Sequence, residues 1–191
     1  SETAVRIPQP GEAGEHLVRQ EAQSGRATYY LYHPYGPRHI IAQGPSNTVA
    51  YTSTAQYDVT WIRGNDTLHI TRSIEGPSLS AEEIQAGSGR LESDATRVGT
   101  TVDALPFGIP DRNAPIQALY FDRAGHLWVE LSVEDGQNRI ADVWDEQGNR
   151  EAQVHWPADI ALSGVGWVGE GEALGVLRDP LGVEQVVRMR F

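Results

Sequence analysis

The sequence has no cysteine and no lysine, and both absences restrict the chemistry that the chain can perform. Its 191 residues include fifteen basic side chains, all of them arginine. Without cysteine there are no thiol nucleophiles, disulfides, structural Cys-Zn sites or iron-sulfur clusters. Without lysine there is no Walker lysine, no Schiff base and no Ser-x-x-Lys nucleophile, because each needs an amine on a flexible stem.

Long apolar runs and excess positive charge are also missing. The longest apolar runs, such as "IALSGVGWVG", are much shorter than the ~20 residues of a membrane span, so we expect no membrane span. The formal net charge is −11. Such a charge repels a phosphate backbone, and we therefore expect no nucleic-acid partner.

Short strands with period-2 alternation dominate what is present. They fall into groups of four in 39–73, four in 116–157 and three in 159–191, with turn residues between almost every pair. Two of the turns, Asp122-x-x-Gly125 and Asp145-x-x-Gly148, have the form of a type I turn with Asp first and Gly fourth. We expect both aspartates to serve the turns and not to ligate calcium.

The grouping predicts an all-β fold made of β-propeller blades, each a meander of four antiparallel strands. We predict that 117–122, 126–133, 139–145 and 152–156 form one such blade. Trp61, Trp128 and Trp144 should then pack between blades. The last group lacks an outer strand, and "TAVRI" or "HLVRQE" near the N-terminus is a candidate to supply it.

One segment interrupts the strand pattern. Ser80 precedes Glu83 by three residues, as in a capping box, and good helix formers follow up to "GSG". The pattern predicts one short helix near 81–86, followed by a long polar connection.

At "YFDRAGHLWVEL" followed by "ADVWDEQGN", the sequence resembles the six-bladed β-propeller proteins related to NHL repeats. "TAQYDVTWIRGNDTLHITRS" is similar to the same part of another blade, although Gly64-Asn65-Asp66 replaces the Asp-x-x-Gly turn. The resemblance covers about 34–191. Many members are bacterial exported or envelope proteins without an assigned activity, so it implies a periplasmic or extracellular location.

The length conflicts with a complete six-bladed ring, which needs at least ~240 residues at ~40 per blade. The chain holds about four blades' worth. We therefore interpret 1–191 as a single β-propeller domain or the C-terminal part of one, either a partial ring or a small one. A partner chain is the other way to complete it.

Three proline-bearing loops, "HPYGPRH", "GIPDRNAP" and "HWPAD", each precede an expected innermost strand. In a propeller such loops gather around the central channel, where ligands commonly bind. We predict a binding site there, and its candidate residues are Arg38, His39, Arg112, Asn113, His155 and Asp159. Its arginines would favour an anionic small molecule or an acidic protein segment.

The leading interpretation is a non-enzymatic binding or scaffolding propeller of the cell envelope or exterior, with no catalytic residue, cofactor or metal assigned. One alternative is a propeller hydrolase or lactonase that uses a divalent ion at the channel mouth. Against it, the loops supply Arg and His more than the oxygen ligands that hard cations prefer. Another alternative is a structural subunit whose ring is completed by another chain.

Overall fold

The computed structural model describes residues 17–21, 28–105, 107–162, 167–169, 171–179 and 181–190. Its first two strands, β1 (Leu17–Glu21) and β2 (Thr28–Tyr32), form an antiparallel pair. Residues 17–21 of the segment "HLVRQE" therefore form β1 of this pair, and the predicted role of this segment as the closing strand of the last group is wrong. "TAVRI" lies outside the described residues.

The first sheet contains the four strands predicted in 39–73. These are β3 (His39–Gln43), β4 (Thr48–Ser53), β5 (Tyr57–Arg63) and β6 (Asp66–Arg72), joined as an antiparallel meander in that order. The β3–β4 turn is made by "GPSN", in which Ser46 and Asn47 have φ angles of 55° and 58°. Such left-handed conformations suit asparagine, whose short polar side chain tolerates them.

The middle sheet is the predicted four-stranded meander, which is confirmed. Its strands are β7 (Ile116–Phe121), β8 (Leu127–Leu131), β9 (Arg139–Trp144) and β10 (Arg150–Trp156), in the order β10-β9-β8-β7. Asp122 and Asp145 begin the first and third turns, and their carbonyls accept the N–H groups of Gly125 at 3.2 Å and Gly148 at 3.0 Å. Both glycines have positive φ, 96° and 80°, which glycine adopts without steric cost.

The last sheet contains β11 (Ile160–Ala161), β12 (Trp167–Gly169), β13 (Glu172–Arg178) and β14 (Glu184–Arg190). Strand β14 pairs with β13 along all seven residues, so β11 and β12 share the opposite edge of β13. The sheet therefore contains four strands, one more than the three predicted in 159–191. A third Asp-x-x-Gly turn, Asp179 to Gly182, joins β13 and β14.

The three sheets are stacked face to face, and the middle one is covered on both sides. One face packs on the first sheet through a cluster that includes Trp61 and Trp144. The other packs on the last sheet through a cluster that includes Trp128. All three tryptophans are buried between sheets, as predicted. Over the described residues the stack is open, and it does not close into a ring.

The predicted short helix is much longer than expected. Helix α1 runs from Ala81 to Val98, and its N-terminus is the predicted capping box of Ser80 and Glu83. The expectation that it ends at "GSG", followed by a polar connection, is wrong. The buried Leu91 packs against Phe107 and so stabilises the second half, which offsets a cost of about 1 kcal/mol for each internal glycine. The helix ends at Gly99, whose φ of 78° allows its N–H to bond back to Thr96.

Among the residues that the structure describes, no helix combines the length and the apolar character needed to cross a membrane.

Candidate binding site

A β-bulge lies at the edge of the middle sheet, next to the first sheet. The register between β7 and β8 shifts between Ile116 and Ala118, which makes Gln117 the extra residue. Its carbonyl accepts a hydrogen bond of 2.9 Å from Nη2 of Arg38. The backbone N–H of Arg38 donates to the hydroxyl oxygen of Thr54 at 2.9 Å, and the backbone N–H of Thr54 donates to the carbonyl of Arg38 at 2.9 Å. Thr54 therefore holds the backbone of Arg38, and the carbonyl of Gln117 holds its guanidinium.

Glu130 is a buried carboxylate beside this bulge, with only 1% of its surface exposed. Its neighbours across β7 and β9 are Ala118 and Ala141, whose small side chains leave room for it. Tyr120 donates its hydroxyl hydrogen to Oε2, and Nη1 of Arg139 donates to Oε1 at 2.7 Å. Arg139 is positioned in turn by a 2.9 Å bond to the carbonyl of Ala158. A buried charge is tolerated when it is paired and hydrogen-bonded in this way.

Burial raises the pKa of Glu130 above its ordinary value. The hydrogen bond and charge of Arg139, and the charge of Arg38, act in the opposite direction but do not cancel this effect. The carboxylate is therefore held closer to protonation than a surface glutamate. Buried acids with raised pKa values are common at functional sites, where burial and charged partners tune them.

Two cavities share Gln117, Glu130 and Arg139 as lining residues. The larger, of about 380 Å³, is here called the Arg38 cavity. Its lining is Arg38, Ile40, Ile41, Gln117, Ala118, Leu119, Tyr120, Glu130 and Arg139. The smaller, of about 170 Å³, extends toward Asn113 and the acidic turn that contains Glu134 and Asp135. Two arginines and one carboxylate line the Arg38 cavity, so it carries one positive charge in excess when Glu130 is ionised.

A wider cleft of about 710 Å³ is lined by the segment before β3, the turn between β4 and β5, and the segment after β6. It is lined by Arg72 and Arg112 but also by Asp58 and Glu75, so its formal charges balance. Arg112 donates to the carbonyl of Gly76 at 3.0 Å and lies 3.6 Å from Glu75. The cleft is thus roomier than the Arg38 cavity but carries no excess charge.

Beneath this cleft a second buried carboxylate, Asp142, joins the first and middle sheets. It is 0% exposed and accepts hydrogen bonds from Tyr57 at 3.0 Å, from Arg72, and from Gln153 at 3.1 Å. Trp144 donates to the Tyr57 hydroxyl at 2.8 Å. Burial, reinforced by the charge of Asp142, raises the pKa of Tyr57. The hydroxyl therefore stays protonated and acts as a fixed donor.

The six residues predicted from the sequence are divided between these places. Arg38 lines the Arg38 cavity, Arg112 lines the cleft, and Asn113 lines the cleft and the smaller cavity. His39 is the half-buried first residue of β3.

His155 and Asp159 are exposed and are not among the described residues that line these cavities. The convergence of Arg38, Arg112 and His155 on one ligand stays a prediction.

Sequence reasoning missed Gln117, Tyr120, Glu130 and Arg139. One signal was present: in "LWVEL" a glutamate takes the position two residues after a tryptophan, so both must lie on the same face of the strand. A charge on a tryptophan-bearing face requires a buried partner. The pattern did not reveal that partner, because Arg139 is on another strand.

The turn aspartates use their oxygens within their own turns. Asp145 accepts from the N–H groups of Gln147 and Asn149 at 2.9 and 2.7 Å. Asp122 accepts from the N–H of His126 at 2.8 Å and from Nε1 of Trp128 at 3.3 Å. These contacts support the turn role that we expected for both. Within the described part of the chain, no group of three or more His, Asp or Glu side chains is arranged to hold a metal ion.

Comparison of the chain with known protein families, curated proteins and solved structures found no match.

Proposed function

We propose that this chain is a binding module of the β-propeller type and that the Arg38 cavity receives a small anionic ligand. The propeller interpretation is supported by three stacked antiparallel sheets, each preceded by a proline-bearing loop. Face-to-face stacking of such meanders is how propeller blades pack. The implied location in the periplasm or outside the cell is part of this proposal, and fractionation of the native cells tests it.

The observation that carries the ligand proposal is the placement of Arg38 and Arg139 around the buried Glu130. Arg139 compensates the charge of Glu130, which leaves Arg38 as the uncompensated charge of the cavity. Arg38 is exposed and donates one of its five N–H groups to Gln117. On a protein of net charge −11, a local positive site concentrates anions that the rest of the surface repels.

The lining also indicates the rest of the ligand. Ile40, Ile41 and Leu119 contribute apolar surface to the Arg38 cavity, and Ile41 is 47% exposed. Small-molecule sites are typically apolar with a few fixed polar groups that orient the ligand. A carboxylate attached to an apolar body fits this combination, with the carboxylate at Arg38.

The experiment is a titration with hexanoate and benzoate followed by backbone NMR shifts, with hexylamine and benzylamine as cationic counterparts of equal size. We expect the carboxylates to shift resonances of 38–41 and 117–120, and the amines to have little effect. Raising the salt concentration should weaken binding, because ionic strength screens the charge of Arg38.

Arg38→Gln should weaken carboxylate binding by roughly tenfold, since it removes a charge-assisted hydrogen bond. Arg90→Gln is the matched control, because Arg90 is exposed on α1 and does not line the cavity. Equal binding by wild type and Arg38→Gln would disprove the proposal, as would shifts that map to the wider cleft instead.

A further inference from the structure

The hairpin of β13 and β14 holds most of the large hydrophobic side chains that are exposed among the described residues. Five large hydrophobic side chains of the described residues are exposed: Ile41, Ile84, Leu181, Val183 and Val186. Three of these five, Leu181, Val183 and Val186, lie in six consecutive residues of this hairpin. Their exposed fractions are 88%, 53% and 72%. Clustered exposed apolar residues mark interaction surfaces more often than isolated ones do.

Among the residues that the structure describes, no strand pairs with the outer edge of this hairpin. Over the described residues, β13 is the one strand that pairs with β14, so the outer edge of β14 keeps its backbone donors and acceptors unused. The edge is seven residues long and contains no proline and no bulge. Natural edges of this length are usually shortened, bent or covered, because they are templates for another strand.

We propose that a second copy of the chain covers this edge, with the two β14 strands paired antiparallel around Val187. A two-fold axis perpendicular to the sheet keeps the outward face outward, so residues i and j pair when i + j is constant and even. Centred on Val187, this rule places Glu184 opposite Arg190 of the second copy. The symmetry repeats this pair, so both ends of the seven-residue ladder hold opposite charges.

The charges of β14 favour this register over its neighbours. A ladder centred on Arg188 would place two arginines directly opposite each other, which is destabilising. A ladder centred on Val186 would need Arg188 for Glu184, but Arg188 is already bonded to Glu172 on β13. The register centred on Val187 uses Arg190, for which no ion pair is found among the described residues.

Packing on the inward face supports the same arrangement. Val187 and Met189 point toward the cluster between the middle and last sheets, where they are half-buried. In the paired ladder Val187 meets Val187 of the second copy, and Gln185 meets Met189. The apolar cluster would thus continue from one copy to the other beneath the joined sheet.

The test is the molecular mass of the protein by light scattering over a range of concentrations, in ~0.15 M salt, where the Debye length of ~8 Å limits repulsion between the two acidic copies. We expect a mass that rises toward that of a dimer. The backbone N–H groups of β14 should exchange with deuterium more slowly as the protein concentration increases.

A charge exchange tests the register. Arg190→Glu places like charges opposite each other at both ends of the ladder and should weaken dimerisation on the order of tenfold. Adding Glu184→Arg to it restores both pairs and should recover most of the affinity. Arg178→Glu is the matched control: it breaks the ion pair of Arg178 and Glu184 within one copy, but β13 does not reach the second copy.

A chain that stays monomeric at every concentration would overturn the proposal, and slow exchange of β14 in that monomer would indicate that another part of the same chain covers the edge. A dimer weakened equally by Arg190→Glu and Arg178→Glu would also overturn it. A thermal unfolding curve of each variant separates loss of the interface from loss of the fold.

Discussion

The two faces of the middle sheet each bury one carboxylate, and the two carboxylates have different surroundings. Asp142 faces the first sheet and accepts hydrogen bonds from Tyr57, Arg72 and Gln153, with Arg150 at 3.6 Å. Glu130 faces the last sheet and accepts from Tyr120 and Arg139 alone among the described side chains. Asp142 is enclosed by donors, whereas Glu130 also lines two cavities.

This difference separates a structural role from a binding role within one sheet. The donors of Asp142 come from two sheets, so the network joins the first sheet to the middle one. The donors of Glu130 come from neighbouring strands of its own sheet, so the network positions the carboxylate without joining sheets. We infer that Asp142 determines how the sheets stack and that Glu130 determines the charge of the Arg38 cavity.

The largest expected effect is the loss of the Asp142 network. Asp142→Ala leaves Arg72 without its buried partner and leaves the Tyr57 hydroxyl without its acceptor. Removing one member of a buried pair typically costs 3–5 kcal/mol, and we expect a loss of about 4 kcal/mol in the free energy of unfolding. Urea denaturation measures it.

Glu130→Ala is the matched variant on the other face. Arg139 and Arg72 have the same side-chain exposure, 28%, but Tyr120 is half-buried and can reach water, unlike the buried Tyr57. We therefore expect a smaller loss of about 1–3 kcal/mol. Equal losses in the two variants would contradict the distinction between the faces.

Tyr57 and Tyr120, which each donate to one of the two buried carboxylates, allow a comparison with smaller effects. Tyr57→Phe removes a hydroxyl that donates to Asp142 and accepts from the buried Trp144. We expect a loss of about 1–3 kcal/mol, because a buried donor on Trp144 is then left unsatisfied. Tyr120→Phe removes one donor from Glu130, and we expect a loss of about 0.5–1.5 kcal/mol.

Both variants keep the ring and change a single oxygen, so their difference reports the networks and not the packing. Thermal unfolding followed by near-UV circular dichroism measures both. A Tyr120→Phe variant less stable than Tyr57→Phe would reverse our assignment of the structural role.

The sequence predicted the sheets better than the site. Strand ends were readable because Asp122, Asp145 and Asp179 each begin a turn that ends in glycine, and turn chemistry is local. The helix was predicted too short because Gly87 and Gly89 lower helix propensity locally. In the structure its second half is stabilised by the contact of Leu91 with Phe107, across the following loop. That contact is not visible in a local pattern.

The site depends on pairings between strands. Arg38 was predicted because it follows a proline in a loop, but its partner Gln117 is a bulge residue 79 positions later. A bulge is a change of register between two strands, and neither strand alone records it. Glu130 was missed because an alternating strand usually has one solvent-exposed face. In this protein the stack of three sheets buries both faces of the strand.

The smallest effect expected is the pH dependence of stability that Glu130 contributes. Its pKa is raised in the folded protein above the value of 4.5 expected for a free glutamate. Between these two pKa values the folded protein binds more protons than the unfolded chain, so stability falls as pH rises and becomes constant above the folded pKa.

Glu130→Gln removes this titration and keeps the shape of the side chain. The stability of wild type minus that of the variant should therefore decrease as pH rises above 4.5 and then become constant, while the other carboxylates cancel in the difference. Urea denaturation at several pH values measures it. A difference that increases with pH would mean that Arg139 outweighs burial and holds the carboxylate ionised. Glu130→Gln also removes a negative charge from the Arg38 cavity, so hexanoate should bind more tightly to this variant than to wild type at any pH at which Glu130 is ionised.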